Sequence, residues 1–180
     1  MSPQKPPFDV LGQLTSLRRY ARSLARDSAE AEDLVHDALV RAYERRASFR
    51  PGGNLRAWLL SIIHNTFIDG RRSQKSEATR VEQAGHLAAT TAEASQEHSV
   101  RLAQVRQAFL NLPDEQRSAL HLVSVEGLTY QEAAEALGIP VGTLMSRIGR
   151  ARATLRAMEE AAPARQARLR IVGGLHDHDA

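Results

Sequence analysis

Residues 127–156, GLTYQEAAEALGIPVGTLMSRIGRARATLR, constrain this chain more than any other stretch, because they spell out two short-range helix signals separated by a tight turn. Thr129 is spaced to accept a hydrogen bond from an early backbone N–H while Glu132 reaches back, which is the capping-box pattern. Gly138 ends that helix, since glycine takes the left-handed conformation a helix C-terminus often needs. Pro140 cannot extend the first helix but suits the entry to the next. Ala133, Ala134 and Leu137 form the inward face, and the two alanines let a second helix cross nearby. At about 100° per residue, Leu144, Ile148, Ala151 and Leu155 fall on one side of the second helix.

Gly142, Thr143, Ser146, Arg150 and Ala153 then face outward, with Arg147 and Gly149 on the flanks. Apart from arginine this face is small, as a helix entering a DNA major groove requires, and the arginines offer forked donors to guanine edges and phosphates. A solvated basic face on an ordinary helical hairpin is the competing reading. Arg147, Arg150, Arg152 and Arg156 follow one another without an intervening acid, which together with the turn pattern favours DNA.

The rest of the chain is read around this helix-turn-helix. Its 180 residues hold one mid-sized domain or two small ones, and only 4% are aromatic, which favours aliphatic-packed helices over strands. The net charge is only +3, so the distribution matters more than the sum: acid gathers at 27–44, arginine at 71–72 and 147–156. Cysteine is absent, which excludes disulfides and thiolate metal sites and fits a reducing cytoplasm. No apolar run approaches the roughly 20 residues that span a bilayer, and the N-terminus lacks a signal-peptide core. A cytoplasmic protein without membrane insertion is expected.

Residues 1–7 read as an unfolded leader. Leu11, Leu14, Leu17, Ala21 and Leu24 predict a first helix to about Arg26. Asp27 or Ser28 caps the next, with Glu30 placed to complete a box and with Leu34, Val35, Ala38, Leu39 and Ala42 as its buried stripe. Glu30, Asp33 and Asp37 share another face, which on composition alone is a solvated surface. Arg50–Asn54 form a loop, and Asn54 caps a helix over 55–72 that is apolar on most sides and so belongs inside a bundle. Toward its end Asn65, Asp69 and Arg72 share a stripe with Arg71 beside it. Locally this fits nucleic-acid contact and dipole compensation by the arginines equally well.

Residues 73–98 lack large aliphatics and read as a flexible linker between two domains. Helix resumes near Ser99 with Val105, Phe109 and Leu112 inward and stops at Pro113. Asp114 and Glu115 open another helix bearing Ala119, Leu120, Leu122 and Val123, closed by Gly127. The second domain therefore spans 99–160, with a tail over 161–180 whose His176 and His178 fit a frayed terminus better than a metal site. His64 reads as a packed or half-exposed histidine rather than a base, and no catalytic or cofactor constellation is present, so neither an enzyme nor a cofactor is expected.

AEDLVHDALVRAYERRASFRPGGNLRAWLLSIIHNTFIDGRR (31–72), LNLPDEQRSALHLVSVEGLTYQEAAEALGIP (110–140) and VGTLMSRIGRARATLR (141–156), in this order and separation, resemble an extracytoplasmic-function (ECF) sigma factor of bacterial RNA polymerase. The resemblance implies an all-α fold of two small domains, a region 2-like bundle at 8–72 and a region 4-like helix-turn-helix at 99–160. It implies that Asp33, Leu34 and Asp37 bind core RNA polymerase. Arg50, Asn54 and Leu55 would pocket an extruded base of the minus-10 element, with Asn65, Asp69, Arg71 and Arg72 beside the separated strand. Ser146 and Arg150 would read minus-35 bases, with Thr143, Arg147 and Arg152 on phosphates. Met145 and Gly149 stand where members often place larger or charged contacts. An anti-sigma factor is the further partner the resemblance implies, and a stand-alone helix-turn-helix regulator is the rival reading.

Overall fold

The computed structural model describes residues 8–25, 27–78 and 97–161. The expected leader, most of the expected linker and the expected tail lie outside the described residues. Every regular element among the described residues is helical. The chain runs through a 3-10 turn at Leu11–Gln13, then α1 (Leu14–Leu24), α2 (Ser28–Glu44), a second 3-10 turn at Arg46–Ser48, and α3 (Leu55–Ala78). After residue 96 follow α4 (Glu97–Leu110), α5 (Asp114–Ser124), α6 (Tyr130–Leu137) and α7 (Val141–Ala161).

Local chemistry places these boundaries. Asp27 caps α2 by accepting from the Glu30 N–H at 2.8 Å, and Asn54 caps α3 by accepting from the Ala57 N–H at 3.1 Å. Thr129 and Glu132 complete both halves of the capping box of α6. Gly138 ends α6 at φ 63°, the left-handed region that a side chain would strain. α3 continues past residue 72, where the linker was expected to begin, as far as Ala78. No helix among the described residues is long and apolar enough to cross a membrane.

In the first half, α1, α2 and α3 pack into a three-helix bundle around Leu17, Tyr20, Leu24, Leu34, Val35, Ala38, Leu59, Leu60 and Ile63. Each buried aliphatic of this kind contributes roughly 1.5–3 kcal/mol relative to exposure. In the second half, α5, α6 and α7 enclose Leu122, Leu128, Ala133, Leu137, Leu144 and Ile148. Leu144, Ile148 and Ala151 are buried and Leu155 partly so, on the side that faces α5 and α6.

Two expectations need correction. Val105 was placed inward but is 58% exposed, because α4 meets the core at its C-terminal end, where Phe109 packs. Leu11 is 79% exposed in the 3-10 turn rather than part of the α1 stripe. The relative placement of the two domains, which the sequence leaves open, is a packed one: α1 packs on α5 and α3 on α6, with apolar residues of both halves in one contiguous core.

Candidate nucleic-acid interface

The turn between α6 and α7 fixes which face of α7 meets solvent. Leu144 and Ile148 anchor one side, so Gly142, Met145, Ser146, Gly149 and Arg150 are left exposed on the other. A Cβ added at Gly142 or Gly149 would meet nothing within 4 Å, so internal packing does not demand glycine at either place. The low profile at these two glycines is therefore a property of the outer surface itself and leaves room for a groove floor there, with Met145 the one bulky apolar side chain exposed beside them. Ser146 donates from Oγ to the Gly142 carbonyl at 3.0 Å, and Arg150 Nε lies 3.3 Å from the Ser146 carbonyl. Both bonds are local and exposed, so either side chain is free to exchange them for another acceptor. Arg152 is exposed as well.

Thr143 and Arg147 sit on the flank and are half-buried. Arg147 Nη2 pairs with Glu115 of α5 at 2.8 Å. Its charge also reaches His64 of α3: burial first and this guanidinium second lower the His64 pKa to about 4, so the imidazole is neutral at pH 7. His64 Nδ1 lies 3.1 Å from the Tyr20 hydroxyl, whose own pKa burial raises. The packed role expected for His64 matches this setting.

In the first half, the candidate residues divide by place. Arg50 is exposed in the loop before α3, Asn54 sits at the helix cap, and Leu55 is partly buried against the core. Phe49 and Trp58 flank this loop with ring centroids 5.4 Å apart, and Phe8 closes on both at 5.9 Å. Asn65, Asp69, Arg71 and Arg72 are all exposed along one run of α3. Two of them already have partners: Asp69 takes Arg41 Nη1 at 2.8 Å, and Arg71 Nη2 lies 3.0 Å from Asp114 of α5. Asn54 likewise donates to Glu132 of α6 at 2.7 Å, and this bond is the first reason the Glu132 pKa is lowered.

On α2, Asp33 and Asp37 are exposed, whereas Leu34 is only 8% exposed and belongs to the core. Val40 and Tyr43, which sequence reasoning passed over, are exposed near them, with the Arg46 guanidinium 4.3 Å from the Tyr43 ring centroid. Their exposure was foreshadowed by the stripe itself, since both lie off the buried positions Ala38 and Ala42.

The group that sequence reasoning missed altogether is Glu126, 2% exposed between α5 and α6. It accepts from Arg19 Nε at 2.8 Å and Nη2 at 2.9 Å, and from the Ser16 hydroxyl, while His121 Nε2 lies 3.1 Å away. Burial opposes its ionisation, yet the bonds from His121, Arg19 and Ser16 outweigh it and hold the carboxyl at about 2. A VEGL turn gives no local hint of a partner more than a hundred positions away.

Comparison with known proteins fits both halves. Residues 13–77 match the Sigma-70 region 2 family and residues 102–155 the Sigma-70 region 4 family. The ECF RNA polymerase sigma factor EcfG of Rhodopseudomonas palustris is 40% identical over 151 residues, covering 83% of this chain and 82% of that protein. The ECF RNA polymerase sigma factor SigM of Bacillus subtilis is 30% identical over 146 residues, covering 81% and 89%. Among solved structures, the sigma factor RpoE bound to the anti-sigma factor NepR, from Bartonella quintana, superposes with a TM-score of 0.75 at 32% identity over 86% of this chain and 96% of that one. CnrH bound to the cytosolic domain of CnrY superposes at 0.61 with 28% identity, covering 85% and 86%. A helix-turn-helix packed on α5, an exposed arginine-bearing face on α3 and two matching family regions in order lead to one assignment: the chain belongs to the ECF sigma factors of RNA polymerase, non-enzymatic subunits that bind core polymerase and promoter DNA and direct transcription initiation.

Proposed function

We propose a division of labour among the faces of this sigma factor. α7 reads the minus-35 element as duplex, with Ser146 and Arg150 toward base edges and Thr143, Arg147 and Arg152 toward phosphates. The loop Arg50–Leu55 receives an extruded minus-10 base, and Asn65, Asp69, Arg71 and Arg72 line the path of the displaced strand. A base offers its Watson–Crick edge only after leaving the stack, at a cost of a few kcal/mol, and a pocket that holds it recovers that cost and so couples recognition to melting. The Phe8, Phe49 and Trp58 rings brace this loop from behind.

α2 docks on core polymerase through Asp33 and Asp37, with Leu34 holding that face to the bundle from below. Val40 and Tyr43 extend it as an apolar margin. The protein acts in the cytoplasm, where its polymerase is, and an anti-sigma factor controls its access to that enzyme, as the partners named for the two solved relatives suggest. The observation that carries the reading is the outer face of α7, where Arg150 is exposed beside Gly142, Ser146 and Gly149. Sequencing the transcripts started in vitro by core polymerase with this subunit tests it. A shared upstream motif whose use depends on Arg150 is expected, and initiation with no common upstream sequence overturns it.

A further inference from the structure

The solvent-facing arc of α7 is not centred where helical periodicity alone puts it. Thr143, Arg147 and Thr154 lie on a flank that is half-buried, and Arg147 is tied there to Glu115 of α5. Gly142, Met145, Ser146, Gly149, Arg150 and Arg152 are exposed. At about 100° per residue the exposed arc is centred on Gly142 and Gly149, with Arg150 on one edge and Met145 on the other, about 140° apart. Beyond Arg150 come Thr143 and Arg147, and beyond Met145 comes Arg152. The two edges repeat one order, a side chain beside the floor and then a donor for phosphate, except that one offers a guanidinium and the other a thioether. Met145 is 54% exposed, one turn after Gly142 and one turn before Gly149, so neither glycine gives it a side chain to lie against. A lone exposed methionine is ordinary on a protein surface. This one stands on the face that a groove has to accept.

A thioether donates no hydrogen bond and accepts one only weakly, so Met145 cannot tell a guanine edge from an adenine edge by polar contact. The major groove offers it one apolar group, the C5-methyl of thymine, and an unbranched side chain with three rotatable bonds adapts to reach it. We propose that Met145 is a specificity-determining residue that reads the C5-methyl of one thymine in the upstream duplex, at a base pair other than the one Arg150 takes. This role rests on the duplex-reading assignment of α7. Five residues place the two side chains about 7.5 Å apart along the helix axis as well as on opposite edges, too far to share one base edge. Gly142 and Gly149 leave the methyl free to come alongside Met145, since nothing lies within 4 Å of where their Cβ atoms would stand. Arg152, two turns on along the same edge, meets the phosphate wall on that side and brings Met145 down toward the bases.

Holoenzyme formed with the full chain, as wild type, Met145→Ala, Met145→Leu or Arg150→Ala, is titrated onto the promoter that its own transcripts define, with each thymine of the upstream element replaced in turn by deoxyuridine. That replacement removes the methyl and leaves every hydrogen-bonding group in place. One position is expected at which deoxyuridine weakens wild type about fourfold, the worth of one buried carbon. The same change weakens Met145→Leu similarly and leaves Met145→Ala unaffected. Met145 is exposed, so circular dichroism is expected to find both of its variants folded. A wild type indifferent to deoxyuridine at every upstream thymine, a loss that persists undiminished in Met145→Ala, or an upstream element without an A·T pair overturns the role of Met145. If Arg150→Ala still changes upstream preference in that case, the duplex-reading assignment stands. If neither Arg150→Ala nor Met145→Ala alters binding to any upstream sequence, that assignment falls as well.

Discussion

The Arg147 guanidinium of α7 lies 2.8 Å from the carboxylate of Glu115, the second residue of α5. This pair joins α7 to the helix it packs against and sets how far Arg147 leans from the outer face. Glu115 is 71% exposed, and a pair that wet contributes no more than about 1 kcal/mol. It aims Arg147 without holding it against a competing phosphate.

Arg147 and Arg150 are therefore expected to fail differently when removed. Arg147→Ala, on the flank, weakens promoter binding about equally for all upstream sequences and lowers the salt slope by about 1. Arg150→Ala, on the outer face, costs on the order of 1 to 3 kcal/mol at one upstream base pair and flattens preference there. Holoenzyme binding to a set of single-substitution promoters at two salt concentrations separates them. Identical profiles for the two variants remove the assignment of reader and positioner.

Asp37→Arg is expected to abolish association with core polymerase and leave the fold intact, because Asp37 is exposed on α2 and its buried neighbours are Leu34 and Ala38. Co-purification measures the first and circular dichroism the second. Retained association moves the docking face elsewhere.

The cap of α6 gives a stability prediction independent of function. Thr129→Ala removes the acceptor of the Glu132 N–H and one half of the box, and is expected to destabilise the chain by about 1 kcal/mol. Thermal unfolding checks it. Thr129→Ser keeps the hydroxyl and restores most of the loss.

What was legible in the sequence follows from how far each interaction reaches. Asp27, Asn54, Thr129 and Gly138 act on backbone within three or four positions, so their spacing alone announced the helix ends. The buried stripes of α2 and α7 were legible because a one-sided helix in a bundle repeats every turn. Val105 was misjudged for the complementary reason: periodicity shows that a helix has an apolar side, not that a neighbour covers it. Arg19 and Glu126 are 107 positions apart, and no pattern in either segment names the other. The seam between domains was thus the part of the site region that only the fold could supply.

His64 supplies a pH dependence with a defined sign. Burial and the Arg147 charge lower its pKa from 6.5 to about 4, while the Tyr20 hydroxyl shares its Nδ1. Below pH 6.5 the unfolded chain takes up a proton at this position that the closed fold refuses until about pH 4, so stability falls as pH falls through that window. Between pH 6.5 and 5 the loss is on the order of 1 to 2 kcal/mol. Glu126 behaves as a depressed carboxylate: its contribution is complete above about 4.5 and is lost only as pH drops toward 2, so it does not confuse this interval. Thermal midpoints at pH 6.5 and 5 should therefore differ in wild type and converge in His64→Gln, which keeps a polar partner for Tyr20 but cannot titrate. Arg147 belongs to the other half of the molecule, so its share of the shift can be removed without changing a residue of the first bundle. The His64 ring resonance in Arg147→Ala is expected to titrate closer to 6.5 than in wild type, and an unchanged titration would mean that burial alone sets it.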